Sequence, residues 1–217
     1  MDVGNAILFE DDVIIVVNKP AGLMVEPDRN GFPNLQQLTK KYLKEKFALK
    51  GEVYAQHLHR LDRPVSGVVL FAIRKEVLRN LSEQFAQRVV KKYYQAVTSR
   101  GPESTTGTLE DWIRKEKRKG VICNEDQIGA EKALLYYNVT KLNDAAFLWD
   151  IELHTGKFHQ IRSQLSHIGC PIIGDHLYGS AASFHADAIA LHARRLIFKH
   201  PLSEKEMDIV AEFDFNL

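Results

Sequence analysis

Along much of this chain apolar residues stand at every second position, the spacing of a strand with one face buried. Ala133, Leu135, Tyr137 and Val139 follow that rule, as do Phe147, Trp149, Ile151 and Leu153, and Met207, Ile209, Ala211 and Phe213. Tyr94 and Ala96 alternate with Tyr93, Gln95 and Val97. Two other stretches are apolar without alternation, as strands covered on both faces are. The first runs from Ile7 to Val17, a strand, an acidic turn at Glu10-Asp11-Asp12 and a second, buried strand, closed by the turn chemistry of Asn18-Lys19-Pro20-Ala21-Gly22. The second is Val68 to Ile73.

Three segments switch to helical spacing. Asn34 can cap a helix carrying Leu35, Leu38, Tyr42, Leu43 and Phe47. Lys75 to Val89 sets Val77, Leu78, Leu81 and Phe85 on one side. Phe158, Ile161, Leu165 and Ile168 form a third stripe, with Gly169 as its stop and Pro171 just beyond. Gly101 to Gly129, rich in Gly, Ser, Thr, Lys and Glu, is expected as a long irregular loop. Many strands and few helices predict an α+β fold, a large and mostly antiparallel sheet flanked by helices, with residues 1–217 forming a single domain.

Composition narrows the class. Hydrophobic residues make up 45% of the 217, enough for a substantial core. No apolar run approaches the length of a membrane-spanning helix, and Met1-Asp2-Val3-Gly4-Asn5 lacks the basic and apolar regions of a signal peptide, so a soluble, cytoplasmic protein with no membrane partner is expected. Cys123 and Cys170 are far apart and outside any CxxC spacing, which disfavours a disulfide scaffold or a thiolate zinc site. A net charge of +1 argues against a bulk nucleic-acid binder. The positive residues are nevertheless clustered, most densely at Arg114-Lys115-Glu116-Lys117-Arg118-Lys119, with further spots at Lys40-Lys41, Lys44, Lys46, Lys91-Lys92 and Arg194-Arg195.

Two segments carry candidate chemistry. His57-Leu58-His59-Arg60-Leu61-Asp62-Arg63-Pro64-Val65-Ser66-Gly67 crowds two imidazoles, two guanidiniums and a carboxylate against an apolar strand, where charge is costly. Arg162 lies beside the apolar stripe of the third helix, and a guanidinium that cannot discharge demands a carboxylate if buried. Asp62, Asp150, Glu152 and Asp175 are the candidates, and spacing does not choose among them. The nine histidines include the pair His57 and His59, but no HExxH or carboxylate-rich triplet completes a metal site, so none is expected.

The HRLD at His59 to Asp62 with Ser66-Gly67 after it resembles the catalytic motif of the RluA-type pseudouridine synthases. So do NKPAG at residues 18–22, KYYQA at 92–96, the run His154-Thr155-Gly156-Lys157-Phe158-His159-Gln160-Ile161-Arg162 with GD at 174–175 and YG at 178–179, and LHA and HP near the C-terminus. The resemblance covers nearly the whole chain. It departs at Lys157, where the family pattern has arginine, at Gln164, where it has histidine, and at Val65, where it has threonine.

The resemblance implies the pseudouridine synthase fold and a catalytic domain without the S4-type RNA-binding module many relatives carry. It implies isomerisation of uridine to pseudouridine in structured RNA, tRNA or rRNA, by a monomer using neither cofactor nor metal. Asp62 takes the place of the attacking aspartate, Arg162 of its arginine partner, and Tyr94 of the tyrosine that stacks on the target base. Arg60 takes the place of the arginine that fills the stack when the uridine is flipped out. His59, Lys92, Lys157 and Gln160 complete the expected RNA- and base-binding set. The rival readings are a non-catalytic RNA-binding module of the same fold and a metal-dependent hydrolase built on the histidines.

Overall fold

The computed structural model describes residues 2–27 and 31–215. In chain order the elements are β1 (Ile7–Glu10), β2 (Ile14–Lys19), α1 (Leu35–Lys46), β3 (Gln56–His57), β4 (Ser66–Ala72), α2 (Lys75–Ala86), β5 (Lys91–Thr98), β6 (Thr106–Glu116), β7 (Lys119–Cys123), β8 (Glu131–Asn143), β9 (Ala146–Leu153), α3 (Gln160–His167), β10 (Leu191–Lys199) and β11 (Glu206–Val210). They group into two compact units, Met1–Val90 with Ala193–Glu212, and Lys91–His192 with Phe213–Leu217. Strands with helices against them make each unit α+β, as expected.

In the first unit β2 pairs antiparallel with β1 and β4, β3 pairs with β4, and β11 with β10, which neighbours β4. Ile14, Val16, Val68, Leu70, Leu196 and Phe198 form the core with Val77 and Leu81 of α2. Asn34 caps α1 as its chemistry predicts, the side-chain oxygen accepting the Gln37 N–H at 3.0 Å. The buried line of that helix is Leu35, Thr39 and Leu43, while Phe47 lies past its end in solvent. Gly67 has φ of +122°, and a β-carbon there would lie 2.3 Å from the Ala193 carbonyl oxygen. Only glycine fits so close an approach of backbones.

In the second unit the strand order is β5-β9-β8-β6-β7, every neighbouring pair antiparallel. Trp149 is wholly buried, its indole N–H donating to Thr98 Oγ1 at 2.7 Å and its ring 4.9 Å from that of Tyr137. The expected loop from Gly101 to Gly129 is instead mostly the β6–β7 hairpin. Helix α3 begins two residues later than its apolar stripe suggests, because His159 takes a left-handed conformation at φ +55° and leaves Phe158 outside. Its end is as expected, with Gly169 left-handed and the Cys170 N–H on the Leu165 carbonyl at 2.9 Å. Among the described residues no helix is long and apolar enough to cross a membrane.

Candidate active site

The first unit holds the loop that carries Asp62. The loop bends tightly, the Val65 N–H donating to the Asp62 carbonyl at 3.0 Å, and Val65 itself is buried. The turn that follows β2 grips it. The Gly22 N–H donates to the Arg63 carbonyl at 2.8 Å, and Arg63 Nε donates back to the Gly22 carbonyl at 3.0 Å. Lys19, fully buried, lies between the two segments. Its Nζ donates to the carbonyls of Leu23, Pro20 and Arg63 at 2.7, 2.9 and 3.3 Å. An ammonium has three N–H donors, so this cage uses all of them. Burial pushes the Lys19 pKa down to about 7, against the opposite pull of the Asp62 carboxylate.

The residues just before Asp62 divide their work. His59 lies ring to ring with Phe85 of α2, centres 5.2 Å apart, and its Nε2 accepts the Leu70 N–H at 3.3 Å. His57 sets Nδ1 3.3 Å from Gln36 Oε1 and Nε2 3.5 Å from Glu26, and burial lowers its pKa. Glu26 also takes the exposed Arg60 guanidinium in an ion pair. Of the expected RNA-binding set in this unit, Arg60 is the side chain that reaches solvent and His59 the one that packs inward.

The second unit holds Tyr94, Lys92 and Arg162. Tyr94 is buried on β5, opposite Ile151 of β9. Lys92 shares its face by strand alternation, with Nζ 3.3 Å from where a β-carbon on Gly156 would stand. Of the four carboxylates considered for Arg162, Asp175 makes the bidentate pair, accepting Nε on Oδ2 at 2.7 Å and Nη2 on Oδ1 at 2.9 Å. Both residues are buried. The guanidinium also lies against the Tyr178 ring, 4.9 Å from its centre, with Nη1 3.2 Å from His159 Nε2.

The remaining expected contacts are occupied by the protein itself. Lys157 pairs with Glu131 at 2.7 Å. Gln160, 3% exposed, accepts the Thr155 hydroxyl and the Lys157 N–H at 2.7 and 3.1 Å and donates to Gln164 at 3.0 Å. It holds the 155–157 turn against α3. Gln164 passes the link on to β6, its Nε2 donating to Asp111 Oδ2 at 2.7 Å. Among the described residues no three His, Cys, Asp or Glu side chains are placed to share a metal ion. Sequence reasoning missed the cage around Lys19 and the ties from Arg162 to His159 and Tyr178. A lysine two residues after an unbroken apolar run was the signal for the first; of the second, His159 lies three residues before Arg162, but Tyr178 joins them only through the fold.

Three comparisons bear on this arrangement. A family model described as RNA pseudouridylate synthase matches residues 13–167. The chain is 33% identical over 216 residues to the uncharacterized RNA pseudouridine synthase MG209 homolog of Mycoplasma pneumoniae, covering 96% of this chain and 66% of that one. It therefore spans about two thirds of that relative's length. It is 30% identical over 216 residues to the dual-specificity RNA pseudouridine synthase RluA of Haemophilus influenzae, covering 96% and 93%. Among solved structures, Human RNA Pseudouridylate Synthase Domain Containing 4 matches with a TM-score of 0.81 at 26% identity, over 98% of this chain and 90% of that one.

Proposed function

The chain belongs to the RluA-type family of RNA pseudouridine synthases, and from that premise we propose that it isomerises uridine to pseudouridine in a folded tRNA or rRNA. The N1–C1′ glycosidic bond breaks, the uracil turns, and a C5–C1′ bond forms. The C5 proton leaves and N1 regains one, so the step balances without oxidant, reductant or group donor. Asp62 is the nucleophile in this reading, Arg162 and Tyr94 its partners in the chemistry, and Arg60 the side chain that takes the place of the flipped base. These roles come from the match of motifs.

The observation that supports it best is the construction of the Asp62 loop. A wholly buried lysine donates three hydrogen bonds that hold the short turn next to Asp62. Such preorganisation is what a nucleophile in a single-pocket isomerisation needs. Pseudouridine mapping in RNA from cells with and without this protein is expected to show one or a few uridines that depend on it. Purified Asp62→Asn is expected to fold and to leave those uridines unmodified, since an amide cannot attack. Full activity in that variant would end the proposal.

A further inference from the structure

The contacts around Arg162 continue outward to the β6–β7 hairpin, and their direction is fixed at one end. A guanidinium only donates, so His159 Nε2, 3.2 Å from Arg162 Nη1, must accept. The imidazole is then neutral and protonated on Nδ1, which lies 3.0 Å from Tyr178 Oη and donates to it. Tyr178 Oη also accepts the Gly120 N–H at 2.7 Å, and its own proton faces the Gly120 carbonyl at 3.3 Å. Gly120 stands in β7. A β-carbon on it would lie 2.3 Å from the Phe158 carbonyl oxygen, so the hairpin is seated directly on the turn that carries His159.

Two further features mark this path. His159 is held at φ +55°, a costly conformation for a residue with a side chain, with its ring 3.9 Å from that of Phe158 and 5.7 Å from that of Tyr178. The hairpin ammonium groups of Lys115 and Lys119 lie over the same two rings, 4.6 Å from the centre of Phe158 and 5.9 Å from that of Tyr178. A phosphate that draws those lysines therefore acts on the hairpin at the point where it touches the path to Arg162.

We propose that His159 and Tyr178 are positioning residues that tie the orientation of the Arg162 guanidinium to the seating of the β6–β7 hairpin, so that RNA held on the hairpin sets the arginine for the reaction. This rests on the reading of Arg162 as part of the pseudouridine-forming site. The hydroxyl of Tyr178 carries the tie, while its ring packs on the guanidinium whether or not the hydroxyl is there. The two functions separate by substitution.

The test uses the full chain, with enzyme in excess over RNA from cells that lack the protein, and reads pseudouridine formed in a single turnover. Tyr178→Phe keeps the ring and loses the hydroxyl. His159→Asn tolerates the left-handed backbone and keeps a polar group near the Nδ1 position, but offers Arg162 no acceptor. His159→Gln returns an acceptor oxygen near the Nε2 position. Tyr178→Phe and His159→Asn are each expected to slow the saturated rate by about 10- to 100-fold, since small misplacements of a reacting constellation cost that much. The half-saturating concentration stays within about twofold.

His159→Gln, which faces Arg162 but leaves the Tyr178 hydroxyl without its Nδ1 partner, is expected to stay as slow as Tyr178→Phe. Adding Tyr178→Phe to His159→Asn costs little more, because the path is already cut. Gly120→Ala, which lifts the hairpin, is slowed with them. Parent-like rates per folded molecule in Tyr178→Phe, a loss confined to RNA affinity, or losses that multiply in the double variant would each overturn the proposal. A parent that forms no pseudouridine, or an Asp62→Asn that forms it, overturns the underlying reading and this one with it.

Discussion

Arg162 and Asp175 are 5% and 1% exposed, and each is the other's bidentate partner. Arg162→Ala leaves a buried carboxylate without its counter-charge, and equilibrium unfolding in urea is expected to show a loss of roughly 3–5 kcal/mol. Arg162→Lys keeps a charge but cannot span both carboxylate oxygens, so it falls between. A loss below about 1 kcal/mol in the alanine variant would mean that the pair is solvated. Lys19 gives a second test, through pH. Its side chain titrates near 7 in the folded protein and near 10.5 when unfolded. Between those values the unfolded chain binds the extra proton, so this group's contribution to stability is full above the unfolded pKa and is lost as pH falls through the folded one. Compared with Lys19→Met, which has no such titration, the parent should gain stability as pH rises from 7, by at most about 1.4 kcal/mol per pH unit. A pH-independent difference between the two would show that Lys19 keeps its ordinary pKa. Arg162 was visible in the sequence as a charge beside an apolar stripe, whereas Lys19 read as part of a turn. Their partners were not visible, because Asp175 and the carbonyls of Leu23 and Arg63 reach them by folding and not by spacing.

Elements were legible where apolar positions tracked the period, and hidden where polar residues took inward places. Asn34 and Gly169 marked the ends of α1 and α3 because capping chemistry is local. In β6 Gly107, Leu109 and Asp111 are less exposed than Thr106, Thr108 and Glu110, Ile113 is buried, and Trp112 and Arg114 on the other face are also partly covered. A glycine and an aspartate in the row that ends at Ile113 conceal period two, and Asp111 faces inward because Gln164 donates to it. The hairpin therefore read as loop. At α3 the stripe counted Phe158 as helical, whereas its ring packs on His159, below the Lys115 ammonium. Gly67 shows the same limit from the other side, since its neighbour Ala193 is remote in sequence. Alanine there adds a β-carbon against backbone and a strained φ together. Gly67→Ala is expected to cost at least about 2 kcal/mol in urea unfolding. A change within about 0.5 kcal/mol would show that β4 and β10 can separate at little cost.

At the scale of the molecule the question is how a chain of net charge +1 holds a polyanion. Many of its surface cations already face acidic partners: Lys40 and Glu52, Lys41 and Glu45, Lys46 and Glu10, Lys132 and Glu110, Lys157 and Glu131, Arg194 and Glu212, Arg195 and Asp208. A phosphate that met one of these would have to displace a carboxylate, so such pairs release few counterions on binding. Lys115 and Lys119 lie over aromatic rings instead, an arrangement that leaves an ammonium's charge uncancelled. RNA is therefore expected to bind through its folded shape and a small number of phosphate contacts, with the hairpin contributing most of the salt dependence. Replacing Lys115, Lys117 and Lys119 together by glutamine should weaken binding to every RNA about equally, and should flatten the plot of log Kd against log salt by about 2 to 3, near 0.7 to 1 per lost contact. Replacing the paired Lys40 and Lys41 in the same way should move the slope by less than about 0.5. Filter binding of one RNA across a series of potassium chloride concentrations decides between them. An unchanged slope in the hairpin variant, or an equal change in both, would place the phosphate contacts elsewhere on the surface.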